Sequence, residues 1–150
     1  MKHISLSLSK LYAALGVVGS AVASVYGGWS GAMTTLVICM AADYVSGLVV
    51  AGVFHKSKKT ETGGLESKAG WKGLCRKGMV LLLVLVGYRL DLLSGTSYLR
   101  DAICIAFICN EIISITENAG LMGLYIPPVI KNAIEVLKQK GDKSNDRITN

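Results

Sequence analysis

Histidine, paired cysteines and charge are all scarce in this 150-residue chain, and each scarcity closes a class of function. The only histidines are His3 and His55, and the four cysteines (Cys39, Cys75, Cys104 and Cys109) form no CxxC pair, so no metal set can be assembled from local spacing. Cys39, Cys104 and Cys109 lie inside apolar runs, where a thiol behaves as a small hydrophobe. No cofactor is suggested. The chain also lacks a glycine-rich phosphate loop, an HExxH pair and a nucleophile beside a base, so it does not read as an enzyme. Glu111 and Glu117 share one helix side, but nothing near them supplies a substrate pocket.

Charged residues make up 17% of the chain and hydrophobic ones 51%, with a mean hydropathy of +0.48. The apolar residues are gathered into runs, which points to an all-α integral membrane protein. The net charge of +6 is concentrated in Lys56–Lys77 and Lys131–Arg147, with no aromatic-rich basic groove between them. Such clustering suits an anionic membrane surface better than nucleic acid, and no nucleic-acid partner is expected.

Four segments are long enough, or nearly so, to span a bilayer: 11–27, 32–54, 79–95 and 99–119. Lys2 and Lys10 precede the first, and the connection "YGGWSG" is uncharged. The loop between the second and third carries Lys56, Lys58, Lys59, Lys68, Lys72, Arg76 and Lys77 against Glu61 and Glu66. The C-terminal tail is basic again. Alternating basic and neutral connections predict four passes with both termini and the basic central loop cytoplasmic. Tyr26, Trp29 and Tyr98 then mark the outer interface and Trp71 the inner one. A rival reading treats Lys2–Ala23 as a signal peptide cut after "AVA", but cleavage would leave three spans and put the basic loop on the wrong side. "ISLSLSK" alternates like a strand, yet Ile4, Leu8, Leu11 and Leu15 fall at helical spacing.

Two further pieces complete the map. Residues 67–78 place Lys68, Lys72 and Arg76 at successive turns, with Trp71 and Leu74 on another face, a cationic interfacial element; Lys68, Trp71, Lys72, Arg76 and Lys77 are candidate contacts to anionic lipid. Residues 128–140 read as an amphipathic helix opened by Pro128, and 141–150 as a disordered polar tail, which leaves one transmembrane domain over 1–140.

Small residues recur every fourth position in the first segment (Gly16, Ser20; Gly19, Ala23) and again at Gly47 and Ala51, a pattern that lets helices approach closely in lipid, within one subunit or between two. Asp43, Arg89 and Glu111 count to a common depth near the midplane, where each unpaired charge costs about 2.5–3.5 kcal/mol. A cluster of the three is therefore expected. Asp91, nearer the outer end, is expected to be wetted. In "FICNEIISITEN", Asn110, Glu111, Ser114, Glu117 and Asn118 cover a helical arc of about 120°, with the isoleucines elsewhere.

Three motifs, "DYVSG" at 43–47, "SKAGWKGLCRK" at 67–77 and "NEIISITENAG" at 110–120 followed by "IPP", resemble in order and spacing the holins of phage lysis and toxin secretion in Gram-positive bacteria. Ala69 is a small departure, since relatives often carry Lys there. The resemblance covers most of residues 36–137. It implies a protein of the cytoplasmic membrane that oligomerises with itself into lesions, through which an endolysin or a large toxin leaves the cell. It also makes Asp43, Gly47, Asn110, Glu111, Ser114, Glu117 and Asn118 family-typical; with Ser46 and Arg89, the polar ones are candidates to line a lesion. Two other classes compete. A small transporter would use Asp43 and Glu111 as coupling sites, and a passive anchor would use neither.

Overall fold

The computed structural model describes residues 2–136; the side chains of residues 2–7, 9, 11 and 15 are outside that description. The expectations for 137–150, the end of the amphipathic helix and the polar tail, fall outside the described residues. Five helices and no strand are present among those described: α1 (Lys2–Val25), α2 (Gly31–Gly52), α3 (Ser67–Ser94), α4 (Leu99–Leu121) and α5, which begins at 128 and reaches the last described residue, 136. The all-helical expectation is met.

Local chemistry sets the boundaries. α1 ends in a six-residue wrap, with the Gly28 N–H donating to Ala23 O (2.8 Å) and the Gly27 N–H to Ser24 O (3.1 Å). Gly27 holds the left-handed conformation (φ +74°) that this cap requires. α4 ends the same way at Gly123 (φ +89°). Ser30 opens α2, its Oγ accepting the Met33 N–H at 3.1 Å. The Pro127 carbonyl accepts the first bonds of α5, leaving Pro128 in the first turn, where a missing N–H costs nothing.

α3 is longer than its apolar run. The cationic stretch at 67–78 forms the first turns of one unbroken helix of 28 residues. Lys, Arg, Leu and Trp all tolerate helix, and nothing between 67 and 94 terminates it. Hydropathy marks where a chain becomes apolar, which need not be where its backbone bonds change.

α2, at 22 residues, is the one helix among those described that is both long and apolar enough to cross a bilayer; a shorter apolar stretch, Tyr12–Val25, lies in α1. In α3 and α4 the length suffices, but Arg76, Lys77, Arg89 and Asp91, and Arg100, Asp101, Glu111 and Glu117, interrupt the apolar stretch.

The chain divides into two compact units, residues 1–38 with 76–108 and residues 39–75 with 109–150, so that α2, α3 and α4 each contribute to both. The first unit buries Met33, Leu36, Val84, Gly87, Asp91 and Cys104. The second buries Met40, Asp43, Val50, Ala51, Glu111 and Asn118. Along α2 the buried positions 33, 36, 40, 43 and 50 alternate by threes and fours, with Gly47 half-buried in the same series, the spacing of a helix-packing seam.

Candidate functional site

In the second unit the motifs of the sequence meet. The Asn118 side-chain amide donates to Ser46 Oγ (2.9 Å), to Asp43 Oδ1 (3.3 Å) and toward the Asp43 carbonyl (3.5 Å). Ser46 Oγ in turn donates to the Asp43 carbonyl at 3.0 Å. Gly47 leaves room beside them: a β-carbon there would stand 3.8 Å from Asn118 Nδ2. "DYVSG" and "TENAG" thus form one buried polar knot between α2 and α4, joining segments more than seventy residues apart.

The third motif closes on the same unit through Tyr44. Its ring lies against the glycine side of α3, where a β-carbon at Gly70 would be 3.5 Å from the hydroxyl and one at Gly73 4.0 Å from Cε2. Ile126 of "IPP" packs over Gly120, within 3.9 Å of where a β-carbon would be. Each glycine in these motifs is a place where another side chain lies flat against a helix.

The polar arc of α4 is divided. Glu111 and Asn118 are seven residues apart on one line with Cys104, and all three are buried. Asn110 and Glu117, on the adjacent line, are exposed, and Ser114 is half-buried. Glu117 also borders a groove of about 330 Å³ with Thr116, Gly120, Ile126, Lys131, Ile134 and Glu135.

Arg89 is exposed, whereas Asp43 and Glu111 are buried.

The stripe on α1 is uncovered: nothing approaches Gly16 or Gly19 within 4 Å of a β-carbon position, and Ser20 is exposed, with Ala23 half-buried. Lys68, Trp71, Lys72 and Arg76 are exposed, and Lys77 is half-buried.

The first unit holds a network that the sequence did not announce. Asp91 is 4% exposed rather than wetted. Its carboxylate accepts the N–H groups of Leu99 (3.0 Å) and Arg100 (2.9 Å) and the Thr96 hydroxyl, a remote cap for α4. The Arg100 guanidinium donates to the carbonyls of Tyr26 (2.9 Å) and Gly28 (3.4 Å), pairs with Asp101 at 3.0 Å and lies over the Tyr88 ring. Asp101 also accepts from Ser30 at 3.0 Å, and the Tyr26 hydroxyl donates to Leu81 O at 3.3 Å. The one available signal was "DLLSGT" at 91–96, a carboxylate just ahead of a tight turn and a new helix.

No group of three or more metal-ligating side chains occurs among the described residues. The geometry is that of helix packing and polar satisfaction.

The family model of the bacteriophage holin family matches residues 20–139. An uncharacterized protein of Listeria monocytogenes is 37% identical over 113 residues, 75% of each chain. One of Halalkalibacterium halodurans is 35% identical over 134 residues, covering 85% of this chain and 92% of its own. A "probable holin" of Bacillus phage phi105 is 29% identical over 106 residues, 70% of this chain and 73% of its own. No solved structure matches significantly. The matched region takes in all three motifs, the knot they form and the clasp around Arg100, and on that evidence the chain belongs to the bacteriophage holin family.

Proposed function

We propose that the protein is a holin that crosses the cytoplasmic membrane four times, with both termini inside, and oligomerises into lesions that release an endolysin or export a large toxin. The family match over residues 20–139 carries this reading. Family membership itself implies the cytoplasmic membrane and suggests a role without chemistry.

The surface supports the multi-pass part. All four long helices present large apolar side chains outward: Val17, Val18 and Val22 on α1, Val37, Ile38, Val45 and Leu48 on α2, Leu82, Leu83, Val86 and Leu90 on α3, Ile105 and Ile112 on α4. A chain in water would hide such faces; lipid or neighbouring subunits would cover them. The uncovered Gly16–Gly19–Ser20 stripe of α1 offers a close helix approach to a second copy.

The mechanism follows from the divided polar arc. In the resting protein Asp43, Ser46 and Asn118 are turned inward and bond one another, which offsets their cost in lipid, and Glu111 is buried on the same line of α4 as Asn118. Asn110, Glu117 and Arg89 lie at the surface. Rearrangement of packed subunits then brings the polar faces to a water-filled lesion, with Ser114 between the two lines.

Inducible expression beside an endolysin tests the reading. Abrupt loss of membrane potential and lysis are expected, and replacing Asn110, Glu111 and Glu117 together with Leu should abolish lysis or grossly mistime it. Unchanged timing in that variant would remove the lining role. Altered ion or drug tolerance without collapse of the membrane would favour a transporter.

A further inference from the structure

We propose that Lys68, Trp71 and Lys72 form a binding face for the phosphate headgroups of anionic phospholipids. It rests on the membrane placement of α3 given above and not on lesion formation.

Direction is settled by the glycines. Tyr44 lies against Gly70 and Gly73, which turns that side of α3 toward α2. At 100° per residue, Lys68, Trp71 and Lys72 fall on the other side, and all three are exposed, Trp71 by 67%. Trp71 stands about 60° from Lys68 and about 100° from Lys72 around the helix. An indole and two ammonium groups on one face suit neither bulk water nor hydrocarbon. They suit the layer where phosphates meet the first acyl carbons, with the indole at headgroup level and the lysine stems lying along apolar surface.

The surrounding charge has the matching sign. From Lys56 to Lys72 the chain carries five lysines against two glutamates, and Glu66 is engaged by the Thr62 hydroxyl at 3.3 Å. Lys56, Lys58 and Lys59 are exposed on a loop that closes on itself, Ser57 N–H donating to Gly63 O at 2.9 Å. α3 then runs without a break into the uncharged stretch Met79–Tyr88, which anchors this face beside lipid. A nucleic-acid surface would call for a longer basic stripe without an apolar wedge at its centre.

The test uses the full chain carrying Trp29→Phe, so that Trp71 is the one indole, in nanodiscs of mixed phosphatidylcholine and phosphatidylglycerol. Bromine is placed on one lipid or the other at equal mole fraction. Brominated phosphatidylglycerol should quench Trp71 more strongly than brominated phosphatidylcholine. Each lysine is worth roughly five-fold in that preference, and added salt weakens it. The K68Q/K72Q variant should lose the preference at unchanged helix content, and K68R/K72R should keep it. Equal quenching by both lipids would overturn the proposal while leaving α3 in the membrane. Quenching by neither would overturn that placement as well. A preference erased by inorganic phosphate would assign the face to a soluble anion. A larger Trp71 response to duplex DNA than to phosphatidylglycerol would assign it to nucleic acid. Either outcome overturns the lipid reading.

Discussion

The two units of this chain satisfy their polar groups in opposite ways. In the first, side chains bond to the backbone at helix ends: Asp91 to the first N–H groups of α4, Arg100 to carbonyls of the turn after α1, Ser30 to α2. In the second, side chains bond one another: Asn118, in the last turn of α4, reaches Ser46 and Asp43 in the interior of α2. Backbone groups at helix ends need partners whatever the protein does. Amide and carboxylate side chains that bond one another rather than a helix end have no such obligation, and their presence is a choice that stability alone does not explain. The first unit therefore reads as construction and the second as the part on which function is built. The motifs that resemble holins, apart from the last two residues of "SKAGWKGLCRK", fall in the second.

That contrast can be broken by experiment. The largest effect is expected at Gly27, where a β-carbon would fall inside the Tyr88 ring, 2.2 Å from Cε2, at a left-handed φ. Gly27→Ala should lower the thermal midpoint by about 10 °C, the sum of overpacking and backbone strain at about 3 kcal/mol. Asp91→Ala comes next, since α4 loses its remote cap; a fall of about 5 °C is expected in the same thermal scan. Lysis timing should stay normal in whatever fraction folds.

Asn118→Leu should cost about 1–2 kcal/mol, because it leaves Ser46 and Asp43 short of a donor in a buried place. Its functional effect should exceed its effect on stability, and a shift of lysis timing with a midpoint shift of only a few degrees is the expected pair of readings. If timing instead followed stability across Gly27, Asp91 and Asn118 alike, the division between the units would fail. The smallest change belongs to Gly47→Ala. A β-carbon there meets ordinary contact at 3.8 Å, so the gain in helix propensity should hold the midpoint level or raise it slightly. A loss as large as that of Gly27→Ala would mean that the second unit is as closely packed as the first.

Much of this is legible in the residues. Small residues and polar positions at helical spacing, and apolar runs between basic loops, give the helices and their order, because burial periodicity is written directly in sequence. The ordered motifs point to the family by their residues and spacing alone. The arrangement of Asp43, Ser46, Gly47 and Asn118 is not readable in that way, since seventy intervening residues decide whether two motifs meet. Asp91 departs from expectation because a tight turn brings its carboxylate back over the first N–H groups of α4, a helix that starts eight positions later. Four crossings remain part of the proposal, because charge placed in α3 and α4 makes hydropathy an uneven guide to what spans.

By itself the sequence determined an all-helical chain of low charge, its basic and neutral connections, and membership in a family whose motifs it carries in order. Those properties are local, set by propensity, spacing and composition. Only the tertiary structure decided which polar residues of "FICNEIISITEN" turn inward, that Asp91 is a cap, and that Lys68, Trp71 and Lys72 face away from Tyr44. The reason is geometric: a helix offers every residue an angle, but which angle is inside depends on where the other helices come to rest.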